Sequence, residues 1–396
     1  MFQRSVLQEV KGRIFEQRKF IQVLVGPRQV GKTTLVMQLL QQISIPHFFI
    51  TADDLYTVDH IWIRREWSNA RLRLQQSGRR ELLFIIDEVQ KVPNWSEAIK
   101  REWDADSFSN VNIKLILLGS SRLLVQKGLT ESLAGRYELI NITHWSYDEM
   151  RDAFGWNLDQ YIYFGGYPGS ASLINNEDRW KYYIRESLVE STLSKDILMM
   201  ARVDKPVLLK RLFDIGCKYS SQILSLTKIQ GELQETGNLT TLAAYLHLLK
   251  EAGLLSGLEK YAADIIRKRS SKPKFQVHNN ALLAAGQSVS YNTLRNNPKE
   301  WGRLVESAVG AHLINCGLKY RYNVYYWNNG EYEVDYIIEK EFKTVAIEVK
   351  SGQKSANKEL ALFERIFNPH GLFLIGTDGL PFENFLSMNP ADLFSL

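Results

Sequence analysis

This sequence is poor in cysteine, has no long apolar run and shows no histidine spacing typical of a metal site. Its two cysteines, Cys217 and Cys316, lie far apart, which excludes a disulfide framework and fits a reducing compartment. No apolar run approaches the roughly 20 residues that cross a bilayer, and charged residues interrupt the N-terminal stretch, unlike a signal peptide. We therefore expect a cytoplasmic protein that does not associate with a membrane.

The chain also lacks a large charge of either sign. Its formal net charge is +5, from 49 Lys and Arg against 44 Asp and Glu, which permits contact with nucleic acid. This charge falls short of the dense basic face of dedicated DNA binders. With 396 residues, the chain is long enough for two or three globular domains.

Strand and helix patterns alternate in the first part of the chain. The predicted strands are Phe20–Val25, Phe48–Ile50, Leu82–Ile86, Leu115–Leu118 and Tyr137–Ile142. Such alternation predicts an α/β fold with a parallel sheet covered on both faces by helices. After Trp145 the pattern becomes mainly helical, with an interruption at Gly165–Gly169.

A complete phosphate-loop pattern, GxxxxGK[ST], follows the first predicted strand. It reads Gly26-Pro27-Arg28-Gln29-Val30-Gly31-Lys32-Thr33, and Thr34 continues into a predicted helix. The backbone N–H groups of such a loop, and the start of the following helix, bind phosphate oxygens. We expect Lys32 to reach the β- and γ-phosphates of ATP and the Thr33 hydroxyl to bind Mg²⁺.

Polar residues end two further strands of the predicted sheet. Leu82–Ile86 ends in Asp87 and Glu88, an arrangement in which Asp87 holds Mg²⁺ and Glu88 acts as the general base toward water. The next strand ends in Gly119-Ser120-Ser121, where Ser120 is the better candidate to contact the γ-phosphate or the water. The sequence leaves a simple turn at Ser120 as an equal alternative.

The quoted motifs resemble a known family. Residues 1–150 resemble the AAA-family ATPases of the AAA+ superfamily, and the whole chain resembles a prokaryotic group in which this ATPase precedes a domain of unknown function. The resemblance implies a sensor role for the Ser120 region and an arginine-finger role for Arg136, toward a neighbouring subunit of a homo-oligomer. A structural role for Arg136 is an equal alternative. The chain departs from the family pattern at Asn141–Trp145.

The middle of the chain predicts three short helices between Lys205 and Gly253, followed by a basic stretch. This order is compatible with a winged helix-turn-helix, in which Thr240–Ala252 is the recognition helix and the basic stretch contacts phosphates. The basic residues are Arg267, Lys268, Arg269, Lys272 and Lys274. Because the helix has few basic residues on its exposed face, we favour the alternative of a solvated basic loop.

The last hundred residues read α-β-β-β-α-β and contain a second polar constellation. Glu306 lies in a predicted helix, Asp335 in the strand Tyr332–Ile338, and Glu348 and Lys350 in the strand Thr344–Lys350. Alternation within the last strand places Glu348 and Lys350 on one face, opposite an apolar face of Val345, Ile347 and Val349. A hairpin between the strands would bring Asp335 beside Glu348.

This constellation resembles the PD-(D/E)xK fold of restriction enzymes and Holliday-junction resolvases. The resemblance implies that Glu306, Asp335 and Glu348 hold a divalent metal and that Lys350 stabilises the charge on a phosphate under attack. The alternative is a nuclease-like fold whose polar face is solvated or ion-paired.

The predicted segments are an ATPase core (1–150), a helical lid (151–204), a winged-helix-like module (205–278), a linker (279–299) and a nuclease-like domain (300–396).

Two functions follow from these expectations. The first is an ATP-driven enzyme that processes or remodels DNA through its C-terminal domain. The second is a nucleotide-dependent switch or scaffold whose C-terminal domain binds a protein partner without catalysis. A small-molecule kinase is disfavoured, because no acceptor site or lid arginines can be located.

Overall fold

The computed structural model describes residues 2–53, 60–119, 125, 129, 132–198, 203–233, 238–262, 271–352 and 358–395. These residues form two compact units, Met1–Ile142 and Thr143–Leu396. The helices of the first unit are α1 (Val6–Phe15), α2 (Lys32–Leu40), α3 (His60–Ser77) and α4 (Trp95–Phe108). Its strands are β1 (Ile21–Val25), β2 (His47–Thr51), β3 (Leu82–Asp87), β4 (Ile113–Gly119) and β5 (Tyr137–Asn141).

The first unit contains a five-stranded sheet of order β2-β3-β4-β1-β5, in which every pairing is parallel. All residues of β1, β3 and β4 are buried, as expected for strands whose two faces are both covered. Two separate apolar cores lie on the two faces, one around Trp67 and Phe84 and the other around Leu24 and Leu35. The predicted α/β fold is therefore confirmed, with strand bounds that differ by one or two residues.

The second unit begins with short helices: α5 (Tyr147–Phe154), α6 (Leu158–Phe164) and α7 (Glu177–Tyr182), followed by π-helical turns through Ile197. Three helices come next, as predicted: α8 (Pro206–Lys218), α9 (Leu226–Leu233) and α10 (Leu239–Glu251). They precede an antiparallel pair, β6 (Leu255–Leu258) and β7 (Lys274–Val277). On α10, Leu242, Tyr245, Leu246 and Leu249 recur at helical spacing and are all buried.

The segment 279–299, predicted as a linker, is instead packed into the unit. It contains α11 (Asn280–Ala284) and α12 (Tyr291–Arg295), and all five residues of α11 are buried. The amide of Asn280 donates to the carbonyl oxygens of Ile162 at 2.7 Å and Leu304 at 2.8 Å. Asparagines resemble linker residues in a sequence, but here they satisfy backbone groups of neighbouring helices.

The C-terminal part follows the predicted order α-β-β-β-α-β. It comprises α13 (Pro298–Tyr320), β8 (Asn323–Asn328), β9 (Glu333–Lys340), β10 (Lys343–Lys350), α14 (Lys358–Phe367) and β11 (Gly371–Gly376), and then α15 (Phe382–Ser387). Its mixed sheet has the order β11-β10-β9-β8, with β10 parallel to β11 and antiparallel to β9.

Both faces of β10 are covered, whereas the alternation of its residues indicated only one apolar face. Val345 and Ile347 are buried as predicted, but Ala346 on the opposite face is fully buried too, in a core that includes Leu360 and Phe363 of α14. Helices thus cover both faces of β10, and the face that carries Glu348 is not a solvated surface. Within the described residues, no helix is both long and apolar enough to cross a membrane.

Candidate functional site

The phosphate loop lies between the end of β1 and the start of α2. Its backbone takes left-handed conformations at Gln29 (φ 61°) and Gly31 (φ 87°), and only the glycine adopts such a value without strain. A side chain at Gly26 would overlap the carbonyl oxygen of Ile142, so this position requires glycine. Val30 anchors the loop because its side chain is fully buried. The close approach at Gly26 and the burial of Val30 therefore restrict the conformation of the loop.

Three predicted site residues meet at this loop. The Lys32 ammonium donates to the carbonyl oxygens of Gly26 and Pro27, each at 2.9 Å. The Thr33 hydroxyl donates to Asp87 Oδ2 at 2.8 Å, which joins the start of α2 to the end of β3. Lys32 and Asp87 are buried, whereas the residues Thr33 and Thr34 are exposed. A cation and a carboxylate–hydroxyl pair therefore stand together at the carboxyl edge of the sheet.

Glu88 occupies a strained backbone position next to Asp87. Its φ is 52°, in the left-handed region that non-glycine residues rarely adopt. Its N–H donates to Asp87 Oδ1 at 2.9 Å, and its carboxylate accepts a 2.5 Å hydrogen bond from the Gln90 amide. Gln90 was not predicted as a site residue, although it stands only two residues after Glu88. These bonds hold Glu88 close to the expected metal ligand.

Two further predicted residues need separate comment. Ser120 lies outside the described residues; the preceding Gly119 pairs in register with Val25 of β1. The Arg136 guanidinium is engaged within its own unit, donating to Asp104 at 2.8 Å and 3.1 Å. This paired contact raises the pKa of Arg136, with the hydrogen bond to Asp104 as the main cause. A finger role for Arg136 requires this ion pair to open and stays a prediction.

The second constellation also comes together, in the second unit. Lys350 Nζ lies 2.6 Å from Glu348 Oε1. Asp335 Oδ2 accepts from the Val349 N–H at 2.9 Å, and Glu348 Oε2 accepts from the Asp335 N–H at 3.4 Å. The predicted hairpin of β9 and β10 therefore brings Asp335 beside Glu348, as the alternation within the strands indicated.

A buried lysine, Lys274, lies beside the carboxylates of this constellation. It was predicted to lie in a basic loop or to contact phosphates, but it is fully buried on β7. Its Nζ lies 2.8 Å from Glu306 Oε1, 3.0 Å from Glu333 Oε1 and 3.4 Å from Asp335 Oδ1. The phosphate-contact prediction is therefore wrong for Lys274. Arg267, Lys268 and Arg269 lie outside the described residues.

Burial and repulsion shift the titration of this carboxylate cluster, defined here as Glu306, Glu333, Asp335 and Glu348. Burial, together with the charge of Asp335, raises the pKa of Glu306 to about 8 and the pKa of Glu348 to about 7. Burial lowers the pKa of Lys274, but Glu306 and Asp335 outweigh it, so the pKa lies well above its ordinary value. The neighbouring carboxylates therefore favour the charged form of Lys274.

The two constellations fit Mg²⁺ to different degrees. At the phosphate loop, the Thr33 hydroxyl and the Asp87 carboxylate are adjacent hard oxygen donors of the kind that Mg²⁺ prefers. In the carboxylate cluster, an ammonium already bridges Glu306 and Asp335, and another holds Glu348. No group of three or more metal-type side chains with the arrangement of a metal site occurs in the described part of the chain.

Two members of the second constellation, Glu333 and Lys274, were not predicted as site residues from the sequence. Glu333 stands two residues before Asp335, so the period of a strand puts both on one face, a signal that was available. Lys274 is separated by 61 residues from Asp335, and its basic surroundings resemble a solvated loop. Only the packing of β7 against α13 brings it to the cluster.

Comparisons with known proteins divide the chain into three parts. Residues 18–151 match a sequence family described as an AAA domain. Residues 155–293 and 301–387 match two families described as domains of unknown function, DUF8612 and DUF4143. The first match agrees with the geometry of the phosphate loop.

Two similar proteins are described only as uncharacterized. One from Methanocaldococcus jannaschii is 24% identical over 368 residues, covering 87% of this chain and 78% of that protein. One from Mycobacterium tuberculosis is 25% identical over 333 residues, covering 83% and 69%. Among solved structures, a Walker-type ATPase of Pyrococcus abyssi has a TM-score of 0.46 at 16% identity, covering 72% of this chain and 96% of that chain. The family match and the phosphate-loop geometry together support an AAA-type ATPase domain in the first unit.

Proposed function

We propose that this chain binds ATP with Mg²⁺ and hydrolyses it at the phosphate loop of its first unit. The observation that carries the proposal is the 2.8 Å hydrogen bond between Thr33 and Asp87, which joins the loop to the acidic strand end. Two motifs that lie 54 residues apart thus meet at one edge of a parallel sheet. Ligands of open α/β sheets bind at this edge.

The residues present supply distinct parts of the reaction. Lys32 would exchange its two loop carbonyl contacts for phosphate oxygens, because an ammonium is better neutralised by an anion than by carbonyl dipoles. Thr33 and Asp87 would hold Mg²⁺, which offsets the negative charge of the phosphates when bound. Glu88 would accept a proton from the attacking water. The hydrogen bond from Gln90 would orient the Glu88 carboxylate for this step.

A direct assay tests this part of the proposal. Purified full-length protein should release phosphate from ATP only when Mg²⁺ is added. The Asp87→Asn variant should release no phosphate even with Mg²⁺. An active Asp87→Asn variant with unchanged Mg²⁺ dependence would contradict the assigned metal ligand.

For the C-terminal domain we propose a partner-binding role under control of the nucleotide. Fully buried Lys274, in contact with three carboxylates, favours this role over metal-dependent cutting. The competing hypothesis, processing of DNA through a nuclease-like centre, is favoured by a different observation: Glu348 contacts both the Asp335 N–H and the Lys350 ammonium.

A cleavage assay separates the two hypotheses. Full-length protein would be incubated with supercoiled plasmid and with branched and single-stranded DNA, in Mg²⁺ or Mn²⁺, with and without ATP. The partner-binding role predicts no cleavage under any of these conditions. Cleavage that Glu348→Gln abolishes, while ATP hydrolysis continues, would establish the nuclease instead.

A further inference from the structure

We infer that the Lys274 ammonium is the built-in cation of the carboxylate cluster, in the place that the nuclease resemblance gives to a divalent metal. The inference concerns the second unit and does not depend on ATP hydrolysis by the first. Lys274 stands beside Glu306, Glu333 and Asp335 in addition to the Lys350 of that resemblance.

Oxygen atoms surround the Lys274 ammonium, as they would surround a bound metal ion. Its Nζ contacts oxygens of three carboxylates at 2.8–3.4 Å and the backbone carbonyl oxygen of Asp335 at 3.2 Å. The face of the Tyr336 ring lies 4.9 Å from the same nitrogen, a favourable position for a cation. With no solvent exposure, the charge of Lys274 depends on these neighbours alone.

Two oxygens of Asp335 and Glu348 have partners other than Lys274. Asp335 Oδ2 accepts from the N–H of Val349, and Glu348 Oε1 is held by Lys350. A divalent ion that bound Glu306 and Asp335 together would have to displace or closely approach the Lys274 ammonium. Repulsion between two cations in a buried place is strong. The residues therefore do not fit the metal while Lys274 is in place.

Lys274 also ties separate parts of the second unit together. It comes from β7, whose partner strand is β6, whereas its carboxylate partners lie on α13 and β9. Gln276, also on β7, contacts the same two elements. Its amide donates to the Ser307 carbonyl oxygen of α13 at 2.8 Å, and its Oε1 accepts from the Tyr336 hydroxyl of β9 at 2.9 Å. The lysine therefore supplies both the positive charge of the cluster and a link between β7 and the mixed sheet.

Binding of Mn²⁺ to full-length, nucleotide-free protein tests the inference. We expect wild type and Glu348→Gln to bind Mn²⁺ equally, because the cluster offers the ion no place. Lys274→Met should gain one Mn²⁺ per chain relative to wild type, and the double variant Lys274→Met/Glu348→Gln should lose it. Electron paramagnetic resonance counts the bound ions without any reliance on catalytic activity.

Thermal unfolding supplies a second readout and a matched control. Lys274→Met should lower the unfolding midpoint by about 10 °C, because it leaves buried carboxylates without their counter-ion, and Mn²⁺ should restore part of that loss. Lys272→Met makes the same chemical change at an exposed residue two positions earlier and should leave both the midpoint and Mn²⁺ binding unchanged.

Two results would overturn the inference. In wild type, Mn²⁺ binding that Glu348→Gln removes would show that the cluster accepts a metal while Lys274 is present. A folded Lys274→Met that gains no Mn²⁺ would show that Lys274 does not occupy a metal position. If Lys274→Met does not fold, the comparison of wild type with Glu348→Gln still decides. ATP hydrolysis, measured on the same samples, reports separately on the proposed function.

Discussion

The Thr33 hydroxyl donates a hydrogen bond to the Asp87 carboxylate at 2.8 Å, and this single contact connects the phosphate loop to the acidic end of β3. The two side chains are the pair expected to hold Mg²⁺ beside the phosphates of ATP. We propose that the metal and the nucleotide meet at this contact.

The first prediction tests that pair. Thr33→Val keeps the shape of the side chain but removes its oxygen, so it should weaken ATP binding in the presence of Mg²⁺ by about tenfold or more, as expected for a lost charged hydrogen bond or ligand. Binding of ATP without Mg²⁺ should change little. Titration of a fluorescent ATP analogue, with Mg²⁺ and with a chelator, measures both affinities. Thr33→Ser retains the hydroxyl and should behave like wild type; an equal loss in Thr33→Ser would exclude the hydroxyl as the cause.

A second prediction concerns the base. Glu88→Gln should reduce the hydrolysis rate by about 10²-fold or more, because a general base typically contributes that much. ATP should remain bound, since Asp87 and Lys32 are unchanged. The exposed Glu97 at the start of α4 offers a control: Glu97→Gln makes the same change away from the site and should keep the wild-type rate. Wild-type turnover by Glu88→Gln would show that another group accepts the proton.

The third prediction concerns Arg136 and its ion pair with Asp104. Because both side chains are partly exposed, loss of the pair should cost only about 0.5–1 kcal/mol of unfolding free energy. With the guanidinium engaged in its own unit, we expect Arg136→Ala to hydrolyse ATP within about twofold of wild type.

A finger supplied to a neighbouring subunit would give a different result for Arg136→Ala. The rate would then fall by about 10³-fold. Mixing Arg136→Ala with Lys32→Ala would restore part of the activity, because each variant lacks a different half of a shared site. That recovery would contradict the structural role for Arg136.

The fourth prediction is a pH dependence in the second unit. Burial lowers the pKa of His312 to about 4, and the ring Nε2 lies 3.1 Å from the Met388 carbonyl oxygen. The unfolded chain, with a histidine pKa near 6.5, binds this proton more readily than the folded chain. Stability should therefore be full above about pH 6.5 and fall, by up to about 3 kcal/mol from this group, as the pH approaches 4.

Denaturant unfolding at pH 7 and pH 5 measures this effect. His312→Gln should show a smaller loss of unfolding free energy between the two pH values than wild type does. The exposed His247 on α10 provides the control, since His247→Gln should retain the wild-type pH dependence. An identical pH dependence in wild type and His312→Gln would remove His312 as the cause.

Much of the fold could be predicted because the signals are local. The five strands of the first sheet are short, mainly apolar segments, and the phosphate loop is a contiguous motif between a strand and a helix. The neighbouring positions of Asp335 and Glu348 also followed from local rules, because a short hairpin and the period of a strand determine them.

The remainder depends on packing between distant segments. Nothing near Lys274 in the sequence indicates burial, and its contacts with Glu306 and Asp335 exist only because β7 lies against α13 and β9. The covered face around Ala346 depends likewise on where α14 packs. A motif predicts which residues come together on adjacent strands, but not which additional side chain fills the space between them.

The central claim is that ATP is bound and hydrolysed at the phosphate loop, and Lys32→Ala tests it most directly. Lys32 is the cation of the loop, so its removal should abolish phosphate release and weaken ATP binding while Lys274→Met, if folded, retains hydrolysis. Phosphate release by the purified full-length variants in Mg²⁺ measures the rate, and titration of a fluorescent ATP analogue measures the affinity. We predict no release above background for Lys32→Ala; release at the wild-type rate would contradict the assignment of an ATPase site to this loop.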